Sequence, residues 1–330
     1  MRIIPFGFIT TKIYSQDTDE KITKAQAEFD RALTNAQTGN PAAQYRVARY
    51  LFEGYGTPKD ISQCVVWLEK AGEAHYPPAM NTLGKVLRDV LQIPEYAMPW
   101  FEAAADLGHL DAQYHYGLYC VGEKKPPHQI IEGLTYLCRA ADQGHDRARV
   151  AFFCSIHKNI ADETPGVLDW LMRNAMGESA VCRTFLGKMY SSGIGVKQDM
   201  QKGVYYYEQA VKMGEPRAKT ELGQKLMSGQ TVDKNEWRGF QLLKESANAG
   251  YRNAMNPLAV CYFFGRGTPA NEVLALAWNE LGVEQEQTAA TAYKELFLGN
   301  LGYSETQEAR QEMEKLKKKM PWGRWDPLFE

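Results

Sequence analysis

Ala254–Gly282, AMNPLAVCYFFGRGTPANEVLALAWNELG, can be laid over six other stretches of the same chain at a nearly constant spacing. Taking the first small residue of each copy as an anchor gives Ala43, Ala79, Ala112, Ala148, Cys182, Ala218 and Ala254, spaced 36, 33, 36, 34, 36 and 36 residues apart. A recurrence of that length marks a solenoid of helix pairs, in which each unit buries its apolar face against its neighbours.

Five residues after the anchor, six copies carry a small residue: Ala48, Gly84, Gly117, Gly187, Gly223 and Ala259, with Phe153 the exception. Three further on stands a larger apolar residue: Leu51, Leu87, Cys120, Ile156, Tyr190, Leu226 and Tyr262. With the anchor, these positions share one face of a helix, the core stripe of a helix A, and the small residue lets another helix come close. Gly54-Tyr55-Gly56, Gly193-Ile194-Gly195 and Gly265-Arg266-Gly267 follow, where glycine tolerates the positive φ that ends a helix. Asp60, Asp199 and Asn271 come next as expected N-caps of a helix B. Helix B then carries a large residue (Trp67, Trp100, Tyr136, Trp170, Tyr206, Leu242, Trp278), mostly with a small one four positions later, and the ring is expected to pack where small residues leave room.

This pattern resembles the Sel-one-like repeat family over roughly residues 40 to 320, the fifth copy being among the nearest with Leu186-Gly187, Tyr190, Gly193-Ile194-Gly195-Val196, Asp199, Tyr206, Ala210 and Gly214. The resemblance implies an all-α fold, a right-handed α/α superhelical solenoid of about seven helix-turn-helix repeats with capping helices at both ends. The second copy, with Val86-Leu87-Arg88-Asp89-Val90, and the fourth, with Ser155-Ile156-His157-Lys158-Asn159, lack the glycine turn. The expected division is an N-terminal arm and capping helix over 1–42, seven repeats over 43–286, and capping helices with an aromatic tail over 287–330. The degenerate fourth repeat is the expected place for a bend between two lobes.

Residues 1 to about 22 read as an extended arm, and Thr23–Thr38 as a capping half-repeat. Thr288–Leu298 reads as a further helix A, and Ser304 with Gln307 as the cap of the last helix. The lysines of Lys315–Lys319 suit a helix C-terminus and a solvated face. Pro321–Glu330 holds three aromatics in ten residues and either folds back or engages a partner.

A formal charge of −2 supplies no drive toward nucleic acid or anionic lipid, and the N-terminal apolar run, broken by Pro5 and Gly7, is a poor signal peptide and too short to span a membrane. Cys64, Cys120, Cys154, Cys182 and Cys261 do not recur as a pair at one spacing, so they read as buried apolar residues in a reducing compartment, and a cytoplasmic location is expected. His75, His109 and His145 follow helix B at positions read as equivalent; one repeat apart, on the order of 10 Å, they do not share a metal. Ser155 and Lys158 match the S-x-x-K spacing of β-lactam-reactive serine hydrolases, without that class's companion motifs. No cofactor and no metal are expected, and the chain is not expected to be an enzyme.

What remains is surface. Opposite the core stripe, helix A is expected to expose Tyr45, Arg46, Arg49, Lys85, Asp89, Tyr114, His115, Leu118, Thr184, Phe185, Lys188, Gln224, Val260 and Phe264 along a concave, protein-binding face, with Phe185, Val260 and Phe264 also candidates for packing on the adjacent helix A. The expected function is a protein-binding solenoid. The resemblance implies, most specifically, a bacterial immunity protein neutralising a cognate toxin, with a regulatory adaptor as the alternative.

Overall fold

The computed structural model describes residues 23–229, 232–284 and 288–320, of which 288–292 are described by their backbone alone. The readings made on 1–22 and on the aromatic tail fall outside these residues. The chain divides into two compact units with the boundary between Cys120 and Val121. That places the division at the proline-bearing loop of the third repeat, ahead of the fourth repeat where a bend was expected.

In the first unit, residues 23–37 form α1, followed by Pro41–Glu53 (α2), Ile61–Glu73 (α3), Pro77–Lys85 (α4), a π-helical turn over Val86–Val90, Pro94–Asp106 (α5) and Leu110–Cys120 (α6). The second holds Pro127–Asp142 (α7), Asp146–Ala161 (α8), Val167–Met176 (α9), Ala180–Ser192 (α10), Met200–Lys212 (α11), Pro216–Ser228 (α12), Glu236–Asn248 (α13), Arg252–Phe264 (α14), Glu272–Glu284 (α15), Thr288–Leu298 (α16) and Tyr303–Lys319 (α17). No strand occurs among the described residues. Even-numbered helices are the helices A and odd-numbered ones the helices B, so the architecture is the α/α solenoid read from the repeat.

The turn from A to B is built by the residues the sequence singles out. Both glycines of each G-x-G are left-handed, at φ 75° and 66°, 71° and 67°, and 66° and 73°. The first closes its helix by donating to the carbonyl four residues back, as Gly193 does to Met189 at 2.7 Å. In two of the three turns the second lies against the preceding helix B: a Cβ on Gly56 would stand 2.2 Å from the Ala25 carbonyl oxygen, and one on Gly267 would stand 2.1 Å from that of Glu236, whereas one on Gly195 would stand 2.5 Å from the Ile160 side chain of α8. Asp60, Asp199 and Asn271 then accept from the backbone N–H of Gln63, Lys202 and Leu274 at 2.9, 2.9 and 2.8 Å. Asn235 does the same for Arg238 at 2.9 Å. The N–H of each of these four caps donates back to the larger apolar residue of its own helix A, Leu51, Tyr190, Tyr262 or Leu226. One residue thus pins the turn from both sides.

The joint from B to the next A has its own chemistry. Asn40 Oδ1, His109 Nδ1, His145 Nδ1 and Ser179 Oγ cap helix A by accepting from the anchor N–H of Ala43, Ala112, Ala148 and Cys182 at 3.0, 3.3, 2.9 and 3.0 Å. Two of the three histidines therefore serve as caps, with Nδ1 as acceptor. His75 does not share their position: it sits at φ 54°, the place taken by Gly39, Gly108, Gly144, Gly214 and Gly250, and Tyr76 stands where a cap would. The residue after the anchor reaches back to satisfy a carbonyl in the last turn of the preceding helix B. Gln44, Gln113, Arg149 and Arg183 donate in this way to Ala36, Ala105, Ala141 and Ala175 at 3.4, 3.2, 3.3 and 2.9 Å.

Helix B packs one residue out of phase with the reading of its rings. The most buried positions are Leu68, Phe101, Leu137, Leu171, Tyr207 and Leu243, each immediately after the ring position. They fill the space left by the small residues of helix A: a Cβ on Gly84 would lie 2.7 Å from the Phe101 ring, and one on Gly187 2.8 Å from Tyr207. Two of the rings reach the preceding helix B, whereas Tyr206 stacks on Tyr190 of its own helix A at 5.6 Å. Trp100 covers Gly72, and Trp170 Nε1 donates to Thr135 Oγ1 at 3.2 Å. At the C-terminal end α17 is capped by Gly302, whose N–H donates to Glu305 Oε2 at 2.9 Å, so Ser304 and Gln307 lie inside the first turns and do not form the cap.

Candidate protein-binding surface

Helix A has neighbours on several sides, and this narrows the face it shows. At about 100° per residue, the position two after the anchor lies nearer the core stripe than the positions six and ten after it. Five of the seven residues at that early position, Tyr45, Asn81, Thr184, Thr220 and Asn256, are buried, while Tyr114 is half-buried and Val150 exposed. Tyr45, expected on the surface, is 8% exposed; its hydroxyl lies 3.3 Å from Thr82 Oγ1 on the next helix A and its ring meets Tyr76 edge-on at 5.8 Å. Lys85, also expected on the surface, is 5% exposed. Phe185 is fully buried because Phe153, the large residue that breaks the small-residue rule in the fourth copy, lies 5.7 Å away on α8, with Phe152 at 6.5 Å. Tyr45, Lys85, Thr184 and Phe185 are therefore withdrawn from the surface: their contacts are with their own chain.

Arg46, Arg49, Asp89, Leu118, Gln224 and Phe264 are exposed, and Tyr114, His115, Lys188 and Val260 half-buried. Arg49 pairs with Glu53 one turn on, at 2.9 Å. Of the unit 1 residues, the structure brings three of the predicted ones into one group through a residue the sequence reading passed over. Arg88 holds Asp89 through two bonds, Nε to Oδ1 at 2.6 Å and Nη2 to Oδ2 at 2.8 Å, and its Nη1 lies 3.0 Å from His115 Nδ1. His115 in turn meets the Tyr114 ring at 5.1 Å. Beneath them the guanidinium lies 5.2 Å from the centre of the fully buried Phe101 ring.

The device that presents Arg88 is the π-helical turn, in which Leu91 N–H reaches back to the Val86 carbonyl at 3.0 Å. π-turns recur at functional positions because the extra residue re-aims the side chains of one turn. Gln92 follows in the left-handed region at φ 56°, and Val90 and Leu91 are left 41% and 43% exposed. Arg88 holds the Asp89 carboxyl below its usual range by direct hydrogen bonding, with further support from the charges of His115 and Lys85. The group is thus a braced cation and carboxylate beside an imidazole, a phenol ring and exposed aliphatic side chains. The sequence signal was there as an absence, the missing glycine turn of the second copy.

In the second unit the surviving residues are more scattered. Phe264 is 57% exposed at the end of α14, edge-on to Phe263. Trp237 and Tyr205, on α13 and α11, are exposed as well, although the sequence reading did not select them. An open cleft of about 400 Å³ lies between the ends of α7 and α9 and the start of α10, lined by Arg139, Asp142, Arg173, Glu178 and Ser179 among others. Ser155 is half-buried on α8 and Lys158 exposed one turn on; neither lines that cleft. Among the described residues no group of His, Cys, Asp and Glu side chains is arranged to hold a metal, and no helix is long and apolar enough to cross a membrane.

Comparison with known proteins agrees with this architecture. The chain is 25% identical over 291 residues to "Chitin synthase regulator SKT5" of Saccharomyces cerevisiae, covering 84% of this chain and 37% of that protein. It is 26% identical over 206 residues to "Chitin synthase regulatory factor 3" of Schizosaccharomyces pombe, covering 56% and 22%. A third relative, "Uncharacterized protein NMB1327" of Neisseria meningitidis serogroup B, is 26% identical over 254 residues, covering 76% and 52%. The chain thus spans about a fifth to a half of the length of these relatives. Among solved structures, a Sel1 repeat protein from Oxalobacter formigenes superposes with a TM-score of 0.54 at 19% identity, covering 88% of this chain and 91% of that one. The protective antigen c5321 of uropathogenic Escherichia coli strains, which displays an SLR fold, superposes with a TM-score of 0.50 at 19% identity, covering 89% and 72%. The Sel1 repeat profile matches residues 41–76, 83–109, 110–145, 180–215, 216–251 and 253–285. It passes over α8 and α9, the copy in which Phe153 replaces the small residue and the glycine turn is missing. With that profile laid on the helix pairs, their glycine turns and their caps, the chain belongs to the Sel1 repeat family.

Proposed function

We propose that this chain is a non-catalytic adaptor that regulates another protein by holding it, and that in the first unit the contact is made by the π-turn surface of Arg88, Asp89, Val90 and Leu91 with Tyr114 and His115. The observation that carries this reading is the braced Arg88 group. Its side chains are fixed before any partner arrives, so less side-chain entropy is lost on binding, and arginine and tyrosine beside exposed aliphatics are the composition of interface hot spots. The names of two relatives, both regulators of chitin synthase, support regulation by an adaptor. An immunity protein acting on a toxin is the narrower form of the same reading and draws on the resemblance alone. No nucleic acid, membrane insertion or cofactor enters this proposal.

The test is capture of partners from the native host with the tagged chain, identified by mass spectrometry, followed by affinity measurement on the recovered partner. Arg88→Ala and Leu91→Asp should each weaken binding about 10- to 100-fold, the range of interface hot spots, whereas Glu73→Ala, exposed at the end of α3 and outside that face, should leave it unchanged. Unaltered affinity in both π-turn variants, with helicity intact, refutes the assignment of the surface. One stoichiometric toxin-like partner would select the immunity form; a membrane-enzyme or signalling complex would select the adaptor. Covalent labelling of Ser155 by a β-lactam probe would overturn the non-catalytic reading.

A further inference from the structure

Cys138, the sixth cysteine of the chain, was not among those weighed from the sequence, and it proves to be in contact with Cys182. Cys138 is on α7 and Cys182 in the first turn of α10; their sulfurs lie 3.4 Å apart, and the two residues are 5% and 0% exposed. Two further bonds hold the helix ends that carry them. Asp142, one turn after Cys138, accepts the Val181 N–H through Oδ1 at 3.0 Å, and Ser179 Oγ accepts the Cys182 N–H at 3.0 Å. The Cys138 thiol itself lies 3.2 Å from Ser179 Oγ and 3.5 Å from Asp142 Oδ2. The contact joins residues 44 apart and bridges the α8–α9 pair, the copy that the repeat profile does not match.

We infer that Cys138 and Cys182 are a disulfide-forming dithiol, oxidised by hydroperoxides, that ties the third repeat to the fifth across the degenerate fourth. Closing the pair requires only a short approach, from 3.4 Å to a bond of about 2.05 Å, by sulfurs whose helices are already held together. Cys138 is the more accessible of the two. Its thiolate attacks the peroxide, the O–O bond breaks, and a sulfenic acid forms with release of water or an alcohol. The Cys182 sulfur then attacks that sulfenic sulfur, the S–S bond forms, and the hydroxyl leaves as water. The two thiols lose two hydrogens and two electrons in all, and the peroxide takes them up. The hydrogen bond with Cys182, burial and the neighbouring Asp142 carboxylate disfavour the Cys138 thiolate, so the first step is slow and the product, once formed, is shielded from reductants.

This step is independent of the proposed binding function and is tested on the full chain. Hydrogen peroxide is added to the folded Cys154→Ser variant, which lacks the exposed cysteine, and the products are alkylated and mapped under non-reducing conditions. The expected result is the loss of two hydrogens from the intact mass, a peptide linking Cys138 to Cys182, reversal by dithiothreitol, and a higher unfolding midpoint in the oxidised form. Cys138→Ala and Cys182→Ala should each abolish the link. Should either variant fail to fold, differential alkylation of the unsubstituted chain before and after peroxide gives the same answer, both thiols becoming unreactive together. Sulfinic acid on either residue, a link to any other cysteine, or two free thiols after prolonged exposure to peroxide would overturn the inference.

Discussion

Glu215, directly ahead of α12, shows how much a single side chain can set here. Its carboxylate lies 3.2 Å from Arg149 Nε, with the two side chains 3% and 7% exposed, yet the pair is not aligned as a hydrogen bond. Burial raises the Glu215 carboxyl above its ordinary value, and the Arg149 charge offsets that only in part. An acid whose folded pKa is raised keeps its proton in the native state at pH values where the unfolded chain has already released it. Its contribution is therefore fully present below the unfolded carboxyl value of about 4.3 and is lost as pH rises through the folded value. Glu215→Gln should flatten the fall of stability across that interval, checked by urea unfolding at a series of pH values; equal slopes in variant and parent would contradict it. His75 offers a simpler case. It holds the left-handed conformation that five glycines hold at the corresponding joints, at a cost of about 1–2 kcal/mol. Replacement by glycine returns part of that against glycine's own unfolded-state entropy, and His75→Gly should raise stability by about 0.5–1 kcal/mol in thermal or denaturant melts.

Between elements, the decisive approach is the second glycine of the A-to-B turn. Gly267 combines a φ of 73° with a backbone oxygen 2.1 Å from where a Cβ would lie, and that oxygen belongs to Glu236 in the first turn of α13. Gly267→Ala should cost about 2–4 kcal/mol, from left-handed strain together with overpacking, whereas Gly144→Ala, whose Cβ would meet nothing within 4 Å, should cost only the strain. Comparative denaturant melts distinguish the two. These turn positions, and the caps at Asp60, Asp199 and Asn271, were legible in the sequence because backbone rules act over four or five residues and repeat with the unit. The exposed face of helix A was much less so. Whether Tyr45 or Phe185 meets solvent depends on side chains one repeat away, Thr82 and Tyr76 for the first and Phe153 for the second. Three of the seven ring positions of helix B misled for a related reason: size marks a residue as buried, and Tyr136, Trp170, Leu242 and Trp278 are, but Trp67, Trp100 and Tyr206 are only partly covered while the residue after each fills the core. The π-turn showed in the sequence only as the missing glycine turn of the second copy, and the Cys138–Cys182 contact, which does not recur, left no mark on the repeat.

At the scale of the chain, repeat cooperation can be followed at the C-terminal end. A continuous apolar core runs from Met227 and Phe240 through the α14–α15 pair to Met313 and Met320. Phe297 of α16 is fully buried in it, 4.8 Å from the Phe263 ring. Phe297→Ala should cost about 3–5 kcal/mol, and because solenoid repeats couple through their neighbours, the loss should remain local. Amide hydrogen exchange is expected to quicken in α15–α17 and stay unchanged in α7–α9; a uniform rise throughout the second unit would show longer-range cooperation than nearest-neighbour packing provides. The back-reaching residues after the anchor, Gln44, Gln113, Arg149 and Arg183, carry a last consequence, for heredity. In four of the seven repeats the residue after the anchor closes the end of the preceding repeat, so a duplicated segment of one period taken from such a copy carries its own joint with it. Such an array can lengthen or shorten by unequal crossing-over without inventing a new interface, and a copy that departs from the pattern, as the second does at its turn and the fourth at Phe153, leaves the other joints in place.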